Sequence, residues 1–238
     1  MRIIRLLANL CLLGSTFGLA FGAEAPATAK LLAGVSHFKQ STIRIASSKV
    51  VYFDPYRIDG EAHDADLILV THSHSDHLSI GDIRKIVKAN TMFVGPADVI
   101  EKIKAAGFER YQVVAPNQSF TVEGIPCKTV PAYNIDKPFH PKANNWVGYL
   151  ATINQVSYYF AGDTDLIPEM KEIKADVAFL PVGGKYTMTA AEAAQAANLI
   201  KPKVAVPIHF LDVVGTMDDA KQFSAALDPA ITGVILKQ

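Results

Sequence analysis

Residues 67–78 read L-I-L-V-T-H-S-H-S-D-H-L, an apolar run followed by three histidines and one aspartate. The run from Leu67 to Val70 is short and aliphatic, which predicts a buried β-strand that leads into a loop. Open α/β sheets bind their ligands at the carboxyl ends of strands. The loop after this strand is therefore a candidate functional site, and its chemically active side chains are His72, His74, Asp76 and His77.

The spacing within this loop favours a metal site. His72 and His74 are two residues apart, so in extended backbone their side chains point the same way and can bind one cation. Asp76 and His77 follow after a turn and can face a second cation. Imidazole and carboxylate groups suit zinc first, with manganese or iron as alternatives. Two such ions about 3.5–4 Å apart can share a water molecule and lower its pKa towards about 7.

The composition gives no electrostatic preference for a partner. The chain has 238 residues, its hydrophobic fraction is 50%, and its formal net charge is +0. This length is enough for one large domain or two small ones. Because no cluster of lysines and arginines stands out, we expect no nucleic-acid partner.

The first 23 residues have the pattern of a bacterial signal peptide. Two arginines lie within residues 1–5, and an apolar stretch follows from Leu6 to Phe21. An uncleaved anchor is the alternative, although a membrane-spanning helix needs about 20 apolar residues. We therefore expect an exported protein, periplasmic or secreted, with no membrane span in the mature chain.

The remainder of the chain is expected to form a linker, residues 24–33, and one domain, residues 34–238. Cys11 lies within the predicted signal, so Cys127 is the single cysteine of the mature chain and no internal disulfide is expected. We expect Cys127 to be a half-buried strand thiol rather than a metal ligand.

Short strands alternate with helices along this domain, which is typical of an α/β protein. Alternating apolar residues on either side of Ser47 and Ser48 predict a hairpin. Thr189 and Glu192 form a capping box at the start of one helix. Helices are predicted at 79–89, 96–106, 190–200 and 217–227, and a closing strand at 231–236.

The T-H-S-H-S-D-H stretch resembles the H-x-H-x-D-H signature of the metallo-β-lactamase superfamily. Three further stretches resemble superfamily motifs in the same order, and the resemblance extends from about Gly34 to the end of the chain. They are F-D-P at residues 53–55, F-A-G-D at residues 160–163 and V-P-I-H at residues 206–209. The P-V-G-G-K-Y-T-M stretch at residues 181–188 is similar to the ascorbate-6-phosphate lactonase and N-acyl-phosphatidylethanolamine phospholipase D branches.

The resemblance implies the αββα sandwich, in which two packed mixed sheets lie between outer helices and two metal ions bind at one edge. By this resemblance, Asp163 bridges both metals, as a carboxylate with two oxygens can. Asp54 is expected to form a hydrogen bond beneath the metal loop. The first metal would be bound by His72, His74 and Asp163, and the second by Asp76, His77, Asp163 and His209.

Two positions depart from the superfamily pattern. Many members have a third histidine for the first metal where this chain has Asn134, after Pro131, Ala132 and Tyr133. Either Asn134 contributes weakly, or His140 reaches in from the loop, or only one metal binds tightly; Tyr133 is a further candidate pocket residue. Gln40 and Ser41 stand where the superfamily often has a His-Ser pair.

The implied activity is hydrolysis, in which a metal-bound hydroxide attacks a phosphodiester, a lactone or another ester of a small molecule or lipid. Asp76 would orient the water or move its proton, which makes it the candidate catalytic residue. The two divalent ions are expected to be Zn²⁺, with Mn²⁺ or Fe²⁺ as alternatives. The alternative function is that of a catalytically degenerate, exported protein of the same fold that binds a metal or a ligand. The sequence does not indicate the oligomeric state.

Overall fold

A computed structural model describes residues 26–238 of the chain, so the predicted signal peptide lies outside the described residues. Thirteen strands form two sheets within this part of the chain. The first sheet has the order β1 to β6, and its strands are β1 (Val35–His37), β2 (Ile43–Ala46), β3 (Val50–Phe53), β4 (Ala65–Leu69), β5 (Val87–Gly95) and β6 (Tyr111–Val113). The second sheet has the order β13 to β7, and its strands are β7 (Ser119–Val122), β8 (Ile125–Pro131), β9 (Val147–Ile153), β10 (Val156–Phe160), β11 (Val177–Pro181), β12 (Val204–Ile208) and β13 (Thr232–Gly233).

Both sheets are mixed. β1, β2 and β3 pair in antiparallel fashion, whereas β3 to β6 are parallel. In the second sheet β7 to β10 are antiparallel and β10 to β13 are parallel. The helices are α1 (Pro26–Leu31), α2 (Ile80–Ile86), α3 (Ala97–Ala105), α4 (Ala190–Ile200) and α5 (Met217–Ala225), with short 3₁₀ turns at Lys142–Asn144 and Pro168–Glu172.

Three apolar layers hold these elements together. Side chains from the inner faces of both sheets form the central layer, where the rings of Phe53 and Phe160 stack 4.9 Å apart across the sandwich. α2 and α3 pack on the outer face of the first sheet, and α4 and α5 on the outer face of the second. Alternation along β4 serves two layers, because Leu67 and Leu69 face the central core whereas Ile68 faces the helices. The αββα sandwich predicted from the sequence is therefore confirmed.

Two predicted elements are much shorter in the structure. α2 ends at Ile86 instead of Ala89, because the chain from Val87 pairs with β4 as strand β5. Strand pairing here outweighs the helical periodicity of the sequence. The closing strand is only two residues long, Thr232–Gly233.

The segment expected to be a linker is partly built into the fold. Its residues 26–31 form α1, and the carbonyl of Leu31 accepts a hydrogen bond of 2.9 Å from the Tyr158 hydroxyl. Leu32 is buried in the central core. The second half of this segment is thus packed against the domain, because Leu31 and Leu32 supply apolar side chains that the sandwich covers. Cys127 lies in β8, where it is free and buried rather than half-buried, and burial raises the pKa of its thiol to about 12.

None of the helices among residues 26–238 is both long enough and apolar enough to cross a membrane.

Candidate metal centre

The chemically active side chains follow strands at one edge of the sandwich. β4 leads to the loop of His72 to His77, β10 leads to Asp163, and β12 leads to His209. The Tyr149 hydroxyl of the second sheet donates a hydrogen bond of 2.8 Å to the Val70 carbonyl of the first. This bond joins the two sheets directly beneath the loop, so the two halves of the site are held in a fixed relation.

Three histidines form the first donor group. The ring nitrogens of His72, His74 and His140 lie within 4.8 Å of one another, and the His72 Nε2 to His74 Nδ1 distance is 3.1 Å. Trp146 covers this group, with ring centroids 4.9 Å from His72, 4.9 Å from His74 and 5.6 Å from His140. We call His72, His74 and His140 the histidine triad. Of the two candidates for the third donor, His140 and not Asn134 lies beside His72 and His74.

Asp76, His77 and His209 form the second donor group, which we call the mixed triad. Their ligand atoms also lie within 4.8 Å of one another. Asp76 Oδ2 is 3.5 Å from His77 Nε2 and 3.8 Å from His209 Nε2. Both histidines are buried, whereas the Asp76 side chain remains 19% exposed and so can contact a bound molecule.

Asp163 lies between the two triads. Its Oδ2 is 3.3 Å from His140 Nε2 and 3.0 Å from His209 Nε2, and its Oδ1 is 3.2 Å from His77 Nε2. One carboxylate thus contacts a member of the histidine triad and two members of the mixed triad. This is the geometry that a bridging carboxylate requires.

The electrostatics of the centre favour a cation. Burial would raise the pKa of Asp163, but the neighbouring His209 and His77 imidazoles hold it well below its usual value. Burial lowers the pKa of His72 and of His74, and neighbouring histidines lower both further. Burial opposes the charged form of His77, yet the Asp163 and Asp54 carboxylates raise its pKa well above the usual value. His72 and His74 therefore favour the neutral form, which can donate a lone pair to a metal.

Unpaired atoms at the centre of the group support the same conclusion. His77 Nε2, His140 Nε2 and Asp163 Oδ1 are buried and have no hydrogen-bond partner among the described residues. Buried polar atoms are rarely left without a partner. Because these atoms converge and belong to imidazole and carboxylate groups, they fit a divalent transition metal.

Asp54 holds the metal loop from below. Its Oδ1 accepts a hydrogen bond of 2.7 Å from the Thr71 amide, and its Oδ2 lies 2.7 Å from both the Thr71 hydroxyl and His77 Nδ1. Although Asp54 lies near His72 and His77, both of its oxygens are already engaged. It therefore orients His77, with Nε2 directed at Asp163, and is not free to act as a ligand itself.

Asn134 supports His140 in a similar way. Its Oδ1 accepts hydrogen bonds of 3.0 Å from both the amide and Nδ1 of His140. Its Nδ2 donates to Asp165 Oδ1 and to the Tyr186 carbonyl. With its amide engaged on both ends, Asn134 positions the third histidine instead of replacing it.

Tyr133 faces away from the donor groups. Its hydroxyl donates a hydrogen bond of 3.0 Å to Glu169 Oε2, and the Lys142 ammonium lies 4.2 Å above its ring. The Tyr133 hydroxyl is therefore engaged by Glu169 and not by the donor groups. Its backbone carbonyl, which accepts from the Asp165 amide, helps to hold the loop.

The sequence analysis did not predict that Trp146 and Gln40 contact the donor groups. Trp146 forms the wall of the histidine triad, and the Gln40 side chain donates a hydrogen bond of 3.0 Å to Asp76 Oδ2. Trp146 carries no motif of its own. Gln40 could have been identified from its position, because the superfamily often has a histidine there.

A small cavity opens beside the two triads. Its volume is about 140 Å³, and it is lined by His74, Asp76, Phe139, His140, Asp163, Tyr186 and Val213. The rings of Phe139 and Tyr186 meet edge to face at 4.7 Å on its rim. Phe139 and Val213 are exposed apolar side chains, so the entrance is apolar while the floor carries the metal-binding groups.

Comparison with known proteins gives relatives over most of the chain. Residues 44–210 match the beta-lactamase superfamily domain. A UPF0173 metal-dependent hydrolase of Pyrococcus abyssi is 32% identical over 208 residues, which cover 81% of this chain and 91% of the relative. One from Methanopyrus kandleri is 33% identical over 174 residues, covering 69% of this chain and 75% of the relative.

Solved structures agree with the fold. A candidate metal-dependent hydrolase of Parabacteroides distasonis superimposes with a TM-score of 0.73 at 30% identity, covering 85% of this chain and 93% of that one. The metallo hydrolase Igni18 of Ignicoccus hospitalis has a TM-score of 0.70 at 22% identity, covering 85% and 94%, and shows the fold alone. The relatives from Pyrococcus abyssi and Methanopyrus kandleri are UPF0173 proteins, and they do not support the finer resemblance to the lactonase and phospholipase branches.

Proposed function

Since the chain belongs to the metallo-β-lactamase superfamily and, within it, to the UPF0173 metal-dependent hydrolases, we propose that it is a dinuclear enzyme that cleaves a small ester or lactone. Membership makes it a metal-dependent hydrolase. We propose in addition that it binds two metals, that both are zinc and that the bond cleaved is that of an ester or lactone. The observation that carries them is the pair of triads joined by Asp163.

The donor atoms suggest how two ions would be bound. The histidine triad and Asp163 would hold one, and the mixed triad and Asp163 the other. Both sets combine imidazole nitrogens with carboxylate oxygens, which suits Zn²⁺ best. Bound there, two divalent ions would lower the pKa of a shared water and polarise the oxygen of the substrate.

Asp76 is the group best placed to handle the proton. It lines the cavity and is partly exposed, whereas Asp54 and Asp163 are buried and engaged by neighbouring side chains. Its Oδ2 also receives a hydrogen bond from Gln40. From this position Asp76 can orient a water towards the substrate and accept its proton.

The cavity favours a small, uncharged substrate with an apolar group. Its lining residues include no lysine or arginine, and nearby Lys137 and Lys142 are paired with Asp165 and Glu169. A phosphodiester would therefore find no cationic side chain in the cavity. A carbonyl ester or lactone, with its apolar part against Phe139 and Val213, fits these walls better.

The alternative function, a catalytically degenerate binding protein, rested on the missing third histidine at position 134. The position of His140 beside His72 and His74 supports a third histidine ligand from elsewhere in the loop. A complete donor set together with an accessible Asp76 favours turnover.

Metal content tests the proposal. We expect elemental analysis of the purified protein to find close to two zinc equivalents per chain, and the Asp163→Asn variant to retain one or fewer. Hydrolysis of p-nitrophenyl acetate or a small lactone should be lost in EDTA and restored by added Zn²⁺. His63→Ala, which changes an exposed histidine outside both triads, is the matched control and should behave like the wild type. A folded wild-type protein that takes up no metal would contradict the proposal.

Export is a separate proposal. It is supported by the charged start and apolar stretch within residues 1–23. N-terminal sequencing of the mature protein would check it, since an intact Met1 in a cytoplasmic fraction would oppose it.

A further inference from the structure

Gln40 contacts the mixed triad from outside it. The residue lies between β1 and β2, and it is completely buried. Its side-chain nitrogen donates a hydrogen bond of 3.0 Å to Asp76 Oδ2 and lies 2.9 Å from His209 Nε2. Two of the three triad members are therefore in contact with one amide group.

The orientation of this amide is fixed at both ends. The Val213 backbone amide lies 3.4 Å from Gln40 Oε1, which accepts from it, and the Asp76 carboxylate requires a donor at the other end. The atom that faces His209 is consequently an N–H group. In the His209 tautomer that is protonated at Nδ1, Nε2 accepts the second hydrogen of the Gln40 amide.

His209 Nε2 cannot accept the hydrogen bond from Gln40 and bind a metal ion at the same time. An imidazole nitrogen that lacks a proton has one lone pair in the ring plane, which can either accept a hydrogen bond or bind a metal. His209 Nε2 is the atom that faces Asp76 and Asp163, and so it is the atom a metal would need. Filling the mixed triad thus requires the Gln40 amide to move away.

The histidine triad has no equivalent competitor. His140 Nε2 has no hydrogen-bond partner in the described part of the chain, and the close contact of His72 Nε2 is with His74, a member of the same triad. We propose that Gln40 acts as a lock on the mixed triad, making it the weaker of two metal sites that fill in order. This inference rests on the proposed function, since it assumes that both triads bind metal.

The backbone of Gln40 is held by hydrogen bonds that do not involve its side chain. Its carbonyl accepts hydrogen bonds from the His209 amide at 2.8 Å and from His37 Nε2 at 3.0 Å. These bonds hold the main chain in the left-handed region, with φ at 56°. A rotation of the Gln40 side chain releases His209 and leaves this frame unchanged.

Two variants remove the contact between Gln40 and His209 in different ways. Gln40→Asn keeps an amide that is one methylene too short to reach both triad members, and asparagine tolerates the left-handed conformation. Gln40→Met keeps the length but has no N–H group. Gln118→Asn, which shortens an amide that bonds the Ala115 backbone instead, is the matched control.

The measurement is a zinc titration of the full chain after removal of metal, in competition with a chromophoric chelator that resolves two dissociation constants. Trp146, the single tryptophan of the chain, contacts the histidine triad, so its fluorescence reports the filling of that triad separately. We expect both Gln40 variants to lower the second dissociation constant about three- to tenfold, the change that corresponds to one net hydrogen bond. The first constant and the Gln118→Asn control should not change.

Other outcomes overturn the lock. A second site that weakens in both variants would mean that Gln40 supports Asp76 instead of competing with the metal. Equal constants in the wild type and both variants would also refute it. If neither triad of the folded wild type binds zinc, the proposed function fails first. If Gln40→Met does not fold, Gln40→Asn decides the question.

Discussion

His140 shows how single residues complete this site. The chain lacks a histidine at position 134, yet the asparagine there accepts two hydrogen bonds from His140 and leaves its Nε2 directed at Asp163. Asp54 has the same role for His77, because it contacts Nδ1 of the ring while Nε2 faces Asp163. In both cases a polar residue next to the ligand fixes which ring nitrogen is available.

The Asn134→Ala variant should therefore weaken the histidine triad. His140 would lose the acceptor for both its amide and its Nδ1, and loss of such a supporting residue typically costs about 10- to 100-fold in metal affinity. Zinc titration followed by Trp146 fluorescence measures this change. Asn144→Ala, an exposed position in the same loop, is the control. An unchanged affinity in Asn134→Ala would show that His140 does not depend on this support.

At the scale of elements, α4 illustrates how local sequence signals serve the site. The helix begins after Thr189, whose hydroxyl accepts from the Glu192 amide at 3.3 Å while Glu192 Oε2 accepts from the Thr189 amide at 2.7 Å. The loop just before this cap carries Tyr186, which lines the cavity, and Gly183 and Thr189 form a bridge across that loop. The cap thus fixes both the start of the helix and the base of the cavity rim.

The Thr189→Ala variant should lower the free energy of unfolding by about 1 kcal/mol, because the Glu192 amide loses its acceptor and Glu192 Oε2 loses the hydroxyl that donates to it. Urea denaturation followed by circular dichroism measures it. Thr189→Ser keeps the hydroxyl and should remain within a few tenths of a kcal/mol of the wild type. A loss of equal size in both variants would assign the effect to the methyl group and not to the cap.

For the whole molecule, stability should depend on a buried histidine outside the triads. His37 packs edge to face on Phe210 with centroids 5.9 Å apart, and burial lowers its pKa from 6.5 to about 4. The unfolded chain binds a proton at this residue below about pH 6.5, whereas the folded chain does so only below about pH 4. The free energy of unfolding therefore falls as the pH decreases through this window, by about 3 kcal/mol.

The contribution of His37 can be isolated by urea denaturation of the wild type and of His37→Phe. Both are measured in EDTA at pH 7.5 and at pH 4.5. Phenylalanine keeps the aromatic contact with Phe210 and cannot titrate. We expect the wild type to lose about 3 kcal/mol more than the variant between the two pH values. Equal losses would mean that His37 is accessible to protons in the folded state.

The sequence by itself determined the fold class and most of the donor set. The strand before His72, the glycine turn at Asp163 and the strand before His209 were visible as local patterns, because strand ends and caps are encoded in neighbouring residues. The αββα sandwich followed from the family resemblance. The end of α2 was not predictable in the same way, because pairing of the chain from Val87 with β4 decided it.

Only the tertiary structure decided how the site is completed. His140 and Gln40 lie far along the chain from the residues that they contact in the site. Gln40, for example, is 169 residues from His209. Trp146 covers the histidine triad without any motif, and Tyr133 turns away although it is close in sequence to the centre. Ligand spacing is a local property of a chain, whereas the choice between Asn134 and His140 depends on how a loop folds against the opposite sheet.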